Sequence, residues 1–244
     1  MQMALSQILN CLLILACVWL GGGSAIGQGV ITIGFDDLPA PDWTNPLPGN
    51  YMGLQWGNFY FYDLAHAENP GYTAGIVSSS NAVFNGYGYP ATLSSGVKFD
   101  LISACLTAAF ENGVLFEARG FAGTNQLYDL SYGLQNTGPA FIEFNFLGVD
   151  SVEFLSYGQY AANEFVMDNL VVRLPPKLTL IASPPSSVVL SWPTNAPNMV
   201  LQSTTTLGST AVWTPVSAKP VTVNGQYTVT NPISGGQQFF RLSQ

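Results

Sequence analysis

The sequence predicts an all-β protein of antiparallel sandwiches, and three observations carry that expectation. Apolar and polar residues alternate with a period of two in most segments, as in strands with one buried face. Turn-forming residues punctuate those segments at Pro48-Gly49-Asn50, Asn85-Gly86, Asn112-Gly113, Gly138-Pro139 and Asn224-Gly225. No long stretch repeats at helical spacing, so crossover helices that would join parallel strands are not expected. The predicted architecture is a jelly-roll-like β-sandwich over 28–173 followed by a smaller β-sandwich over 177–244.

The first residues are not part of either sandwich. Residues 1–27 read as a signal peptide, with an apolar run from Ile8 to Leu20, then Gly-Gly-Gly-Ser, then small residues at Ala25 and Gly27. Within it, Ile14-Leu15-Ala16-Cys17 is similar to a bacterial lipobox, and acylation at Cys17 is the minor alternative. The run is short for a spanning helix and no other segment approaches ~20 apolar residues. The mature chain is therefore expected to be exported and to have no transmembrane segment.

Ile31, Ile33 and Phe35 alternate with Thr32 and Gly34 as the first strand. From Leu54 to Tyr62, continuous alternation places Phe59 and Phe61 on one face and Trp56, Tyr60 and Tyr62 on the other. Asn112-Gly113 predicts a hairpin between 106–111 and 114–121, because a tight type I′ turn needs positive φ at both central residues. Cys105, in a strand-like run, reads as a small buried hydrophobe. Ile142, Phe144 and Phe146 form another one-sided strand. Leu174-Pro175-Pro176-Lys177 then breaks the ladder and stiffens a short linker. Beyond it come strand-like runs at 188–192, 200–204, 213–216, 221–230 and 238–243.

Charge separates the same two halves. All fourteen acidic residues lie between Asp36 and Asp168, against Lys98, Arg119 and Arg173, so this half carries a formal −11. The second half carries only Lys177, Lys219 and Arg241, a formal +3. A strongly acidic module repels phosphate backbones, and three scattered cations make no basic patch, so no nucleic-acid partner is expected.

Val188-Val189-Leu190-Ser191-Trp192-Pro193 resembles the tryptophan-bearing strand of a fibronectin type III or immunoglobulin-like module, and Phe239-Phe240-Arg241-Leu242 a late strand of it. At about 68 residues the half is shorter than the usual ~100, which leaves room for a missing strand. As a whole, the leader, the motifs Gly34-Phe35-Asp36-Asp37-Leu38-Pro39, Asn81-Ala82-Val83-Phe84-Asn85, Phe99-Asp100-Leu101 and Phe165-Val166-Met167-Asp168-Asn169-Leu170, and the small C-terminal sandwich resemble secreted modular proteins of Verrucomicrobia and Planctomycetes. The first module is similar to those of PEP-CTERM-type exported proteins, although the terminal apolar helix and basic tail of that pattern are lacking here. The resemblance implies a secreted or cell-surface protein.

Three constellations could carry function. In jelly-roll carbohydrate-binding modules an early acidic residue and an Asp of the last strand often hold a calcium ion. The matching positions are Asp36, Asp37, Asp168 and Asn169, and the resemblance implies a structural Ca2+ there. The alternative is that these residues only cap a strand and a turn. The second constellation is an outward aromatic platform of Trp56, Tyr60 and Tyr62, joined by Tyr87 and Tyr89 from a loop, suited to stacking on sugar rings. Its alternative is that long loops cover that face and the rings are ordinary packing. The third is catalysis by a carboxylate pair, for which Asp100, Glu117, Glu143 and Glu153 are strand-borne candidates, but no pairing is specific. His66, the one histidine, reads as a surface-loop residue. No catalytic residue is assigned. The preferred expectation is a secreted, non-catalytic binding or adhesion protein whose partner is a glycan or surface polymer. A small secreted polysaccharide hydrolase or lyase is the alternative.

Overall fold

The computed structural model describes residues 29–158, 163–183, 187–194, 196, 198–232 and 237–243. The leader expected over 1–27, including Cys17, lies outside the described residues. Among the described residues the chain divides into two compact units, one of residues 31–173 and one that groups residues 29–30 with the stretch from Leu174 onward. Both are antiparallel β-structures.

The first unit joins eleven strands in one hydrogen-bonded sheet. They are β1 (Gly29–Ile33), β2 (Asn45–Pro46), β3 (Asn50–Tyr51), β4 (Leu54–Gly57), β5 (Phe59–Asp63) and β6 (Asn81–Asn85). The long strands follow: β7 (Ala91–Ala108), β8 (Val114–Ala122), β9 (Asn125–Leu134), β10 (Ala140–Tyr157) and β11 (Phe165–Leu174). Two of these, β7 and β10, run 18 residues each and serve two layers. The later half of β7 lies between β11 and the early half of β10, where Met167 pairs with Leu106 and Ala140 with Leu106. Its early half lies between β4 and the late half of β10, where Trp56 and Val152 both pair with Leu93. Between the halves, β10 bends through bulges at Asn145 (φ 52°) and Gly148 (φ 67°), which break the register with β7. One layer thus holds β2-β5-β6-β11 and the other β3-β4 and β8-β9, with β1 added beside β11.

Aromatic rings from the two layers meet in the middle. Phe59 of β5 packs edge-on against Trp56 of β4 at 5.2 Å and Phe154 of β10 at 5.9 Å. Phe116 of β8 meets Phe165 of β11 at 5.0 Å. Each such ring contributes ~2 kcal/mol or more by leaving water, which makes this seam the main cohesive element of the unit.

Two expectations of local structure are corrected. Asn112-Gly113 does not close a hairpin, because β10 lies between β7 and β8 in the sheet order. The chain there crosses from one layer to the other, and the Gly113 N–H donates to Leu134 O instead. The true two-residue hairpin joins β8 to β9 at Gly123-Thr124, with Ala122 opposite Asn125. The continuous alternation from Leu54 to Tyr62 is also interrupted. Asn58 adopts φ 56°, which splits the run into β4 and β5 and resets which residues face inward. Trp56 and Phe59 therefore share the core.

On the far side of the first layer, a short helix, α1 (Pro70–Gly75), covers β6 and β11. It closes a second small core of Tyr62, Tyr72, Ala82, Phe84, Ala109 and Val166. Gly71 is required here, since a Cβ would stand 1.9 Å from Ala108 O.

The second unit has sheets of four and three strands among the described residues. The four-stranded sheet orders β12 (Thr179–Ser183), β13 (Ser187–Pro193), β17 (Gln226–Pro232) and β16 (Val221–Val223). The other orders β15 (Thr214–Pro215), β14 (Val200–Thr204) and β18 (Phe239–Ser243). Val188, Leu190 and Trp192 of β13 point into a core with Leu201 and Val229, as alternation predicts. Asn224 (φ 48°) and Gly225 (φ 74°) close the β16–β17 hairpin with positive φ at both positions. Trp213 lies under the Arg241 guanidinium at 4.4 Å.

Candidate functional site: an aromatic cleft on the first layer

The cleft forms where three loops rise over the outer face of β5 and β6. The segment before β2 is pinned by Asn45, whose amide donates to Phe61 O at 3.2 Å and to Asp42 O. That anchor holds Trp43 and Thr44 beside β5. Phe110, just past the end of β7, packs edge-on against Tyr72 of α1 at 5.5 Å. Tyr87 sits on the 3-10 turn at 86–88, which the Asn58 amide fastens by donating to Gly86 O, Tyr89 O and Pro90 O. Gly86 lets this turn lie flat on Tyr60, whose ring a Cβ would meet at 2.3 Å.

Two adjoining cavities result, of about 230 Å³ and about 100 Å³, and both have Trp43 and Phe110 in their walls. The larger adds Tyr62, Tyr72, His66, Glu68 and Asn69; the smaller adds Thr44, Tyr60, Phe84, Tyr87 and Glu164. Trp43 is exposed over 64% of its surface and Tyr87 over 69%, so flat apolar faces stand open to solvent.

Polar groups sit among the rings. The Glu164 carboxylate accepts from the Tyr72 hydroxyl and from the Tyr87 N–H, while burial pushes its pKa up. Burial and the neighbouring Glu164 likewise push the Tyr72 hydroxyl far above the usual tyrosine range, so it remains a donor. His66 Nδ1 lies 2.6 Å from Asp63 Oδ1, which also accepts from the His66 N–H at 3.1 Å. Thr44 Oγ1 is buried without a hydrogen-bond partner.

Of the aromatic residues singled out from the sequence, Tyr60 lines the cleft floor and Tyr87 its rim. Tyr89 is 67% exposed and lines neither cavity. Trp56 and Tyr62 are corrected as an outward platform, being buried at 7% and 1% exposure: Trp56 lines neither cavity, whereas Tyr62 lines the larger one from beneath α1. The turn at Asn58 carries Trp56 inward, and α1 covers Tyr62, whose hydroxyl donates to Tyr72 O at 2.7 Å. Trp43, Thr44, Phe110 and Glu164 were not singled out. They lie in connections, where no periodicity exists to read; an isolated Trp in the Pro-flanked loop at 41–46 was the one available signal.

The acids expected to hold a cation occupy a separate place. Asp168 is fully buried in β11, and its carboxylate accepts from Val77 N and Ser78 N, each at 2.7 Å, and from Asn169 N at 2.6 Å. Ser78 Oγ also donates to it at 3.0 Å and contacts Gly34 O at 3.1 Å. Burial raises the Asp168 pKa to about 6 despite these donors. Asp36 accepts from Ser80 N at 2.8 Å and Asn81 N at 3.0 Å; burial opposes its ionisation, but together these and other hydrogen bonds hold its pKa below the ordinary value. Asp37 accepts from the Tyr51 hydroxyl at 2.5 Å. Together these contacts clasp the loop after β1 to β11 through Ser78. Among the described residues, no three His, Cys, Asp or Glu side chains gather as a metal group.

The strand-borne acids lie elsewhere. Asp100 pairs with Arg173 at 3.1 Å, and Arg119 bridges Glu117 at 2.6 Å and Glu153 at 3.8 Å. Glu143 is exposed on β10. None of the four lines the cleft.

No family model matches the chain, and no curated protein matches it. Solved structures similar to it include a cleaved adhesin domain of Lys-gingipain, with TM-score 0.38 and 13% identity over 59% of this chain and 99% of that one. Another is TmCBM61 in complex with β-1,4-galactotriose, with TM-score 0.33 and 10% identity over 51% of this chain and 90% of that one. A third is the N-terminal CBM22 tandem of Paenibacillus barcinonensis Xyn10C, with TM-score 0.36 and 9% identity over 91% of this chain and 86% of that one. Among the described residues, no helix is long and apolar enough to cross a membrane.

Proposed function

We propose that the first unit binds a glycan in the aromatic cleft, and that the protein is a non-catalytic binding or adhesion protein. One observation carries this: open Trp43, Phe110 and Tyr87 faces flank a floor supplied with Glu164, Asn69, His66 and the unpartnered Thr44 hydroxyl. Sugars need that combination, because their C–H faces stack on rings while their hydroxyls seek placed polar groups. A hydrolase reading finds less support. Glu164 is tied to Tyr72 and Tyr87, and none of the strand-borne acids reaches the cleft.

Export through 1–27, a place at the bacterial cell surface, and a spacer or attachment role for the second unit belong to the same proposal and rest on sequence alone. A structural calcium ion at Asp36, Asp37, Asp168 and Asn169 belongs to the proposal as well. Its support is that Gly34 O, Ser78 Oγ and two carboxylates gather oxygens near one another. The ion would compete with the N–H donors that already fill the Asp168 lone pairs.

A single glycan-array experiment, run with and without chelator, tests both parts. Trp43→Ala is expected to weaken binding by about fivefold to thirtyfold without lowering the melting temperature, since stacking on one exposed ring is worth ~1–2 kcal/mol. Polysaccharide turnover with no retained glycan would instead make the protein an enzyme. A melting temperature indifferent to chelator removes the calcium.

A further inference from the structure

Among the described residues, the cleft walls hold no lysine or arginine. Arg119 is engaged by Glu117 and Glu153, Arg173 by Asp100, and Lys98 lies in β7. The ionisable side chains that line the cleft besides its tyrosines are Glu68, Glu164 and His66, and His66 is held by Asp63. Behind them stands the formal −11 of the first half. An anion entering here would meet carboxylates with no cation to pair with. A cation would meet those carboxylates together with open aromatic faces, whose electron-rich surfaces attract positive charge. Thr44 Oγ1, buried in the same wall, is an acceptor and donor that the protein leaves unpaired.

We propose that the cleft selects a cationic glycan, built of amino sugars with free, protonated amines, over its N-acetylated counterpart and over a polyuronate. The proposal rests on the glycan-binding reading of this same cleft. A pyranose ring lies against Trp43, and its ammonium group faces Glu68 at the half-exposed end. Glu164, deeper and already engaged by Tyr72, shapes the floor and adds to the negative field. An N-acetyl group would remove the charge and leave Glu68 without a partner.

The full chain is titrated calorimetrically with oligomers of glucosamine, N-acetylglucosamine and galacturonate at low and high salt. The glucosamine oligomer is expected to bind about tenfold tighter than the N-acetylated one, with a preference that shrinks as salt screens the charges. Glu68→Gln is expected to weaken binding of the glucosamine oligomer more than that of the N-acetylated one, and so to narrow the difference between them. Glu68 is not buried, so this variant keeps the fold intact. Equal or tighter binding of the N-acetylated or uronate oligomer overturns the charge selectivity but leaves the cleft a glycan site. Failure of all three oligomers to bind overturns the charge selectivity and leaves the glycan reading to the array, whereas binding that Trp43→Ala does not weaken overturns both proposals.

Discussion

Asp168 shows how one side chain can be fully enclosed and yet carry a testable electrostatic signature. An unfolded aspartate releases its proton near 3.8, whereas the folded one holds it to about pH 6. The native state therefore binds more protons across that window, and stability falls as pH rises through it, by up to ~3 kcal/mol. Glu164, also raised by burial, adds to the fall above its ordinary range. Asp36 works the other way, giving stability that is lost as pH drops below the usual aspartate range. Denaturant melts of Asp168→Asn from pH 4 to pH 6 are expected to show a flatter pH dependence than the parent chain. An unchanged slope would mean that the proton goes elsewhere. The resemblance to jelly-roll carbohydrate-binding modules brought Asp36 or Asp37 and Asp168 to notice as a pair joining the ends of the module. It could not show that Ser78 and the Val77 N–H would complete the clasp, because those donors come from a loop some ninety residues away along the chain.

At the scale of elements, strands were readable wherever one face meets a core, as in β13, where Val188, Leu190 and Trp192 all turn inward. Reading failed where backbone geometry reset the phase. Asn58 at φ 56° turned a nine-residue alternation into two strands and put Trp56 on the opposite side from the one its spacing implied. The Asn112-Gly113 pair had the right turn chemistry but sat at a crossing between layers, a fact set by strand order rather than by local preference. The helix α1 was invisible for a different reason: six residues containing two glycines and a proline have no helical periodicity to detect. Its place is fixed instead by contact. Gly71→Ala forces a methyl group into Ala108 O, and backbone on both sides resists moving. A loss of ~2–4 kcal/mol is expected in chemical denaturation, together with weakened ligand binding, because α1 carries Tyr72 and supports Phe110. Near-normal stability of this variant would show that the helix is not held against β7 as described.

The molecule as a whole is two bodies joined at Arg173 and Leu174, next to Pro175-Pro176. The first contains the aromatic seam, the clasp and the entire cleft. A chain of residues 28–176 is therefore expected to fold cooperatively and to bind the same glycans as the full protein within about twofold, since every residue placed in the cleft belongs to this stretch. Scanning calorimetry and titration of this fragment check the point; a fragment that melts without a transition would show that the second unit is needed to complete the first.

Because β7 and β10 each belong to both faces of the sandwich, neither face can form ahead of the other. Nucleation must bring together segments far apart in the chain, such as Trp56 with Leu93 and Leu93 with Val152, before much apolar surface is hidden. Loop closure is then charged early and rewarded late, so refolding of the first unit should be slow, on the order of milliseconds to seconds. The same two strands make the finished body hard to open piecemeal, since loosening either face pulls on both.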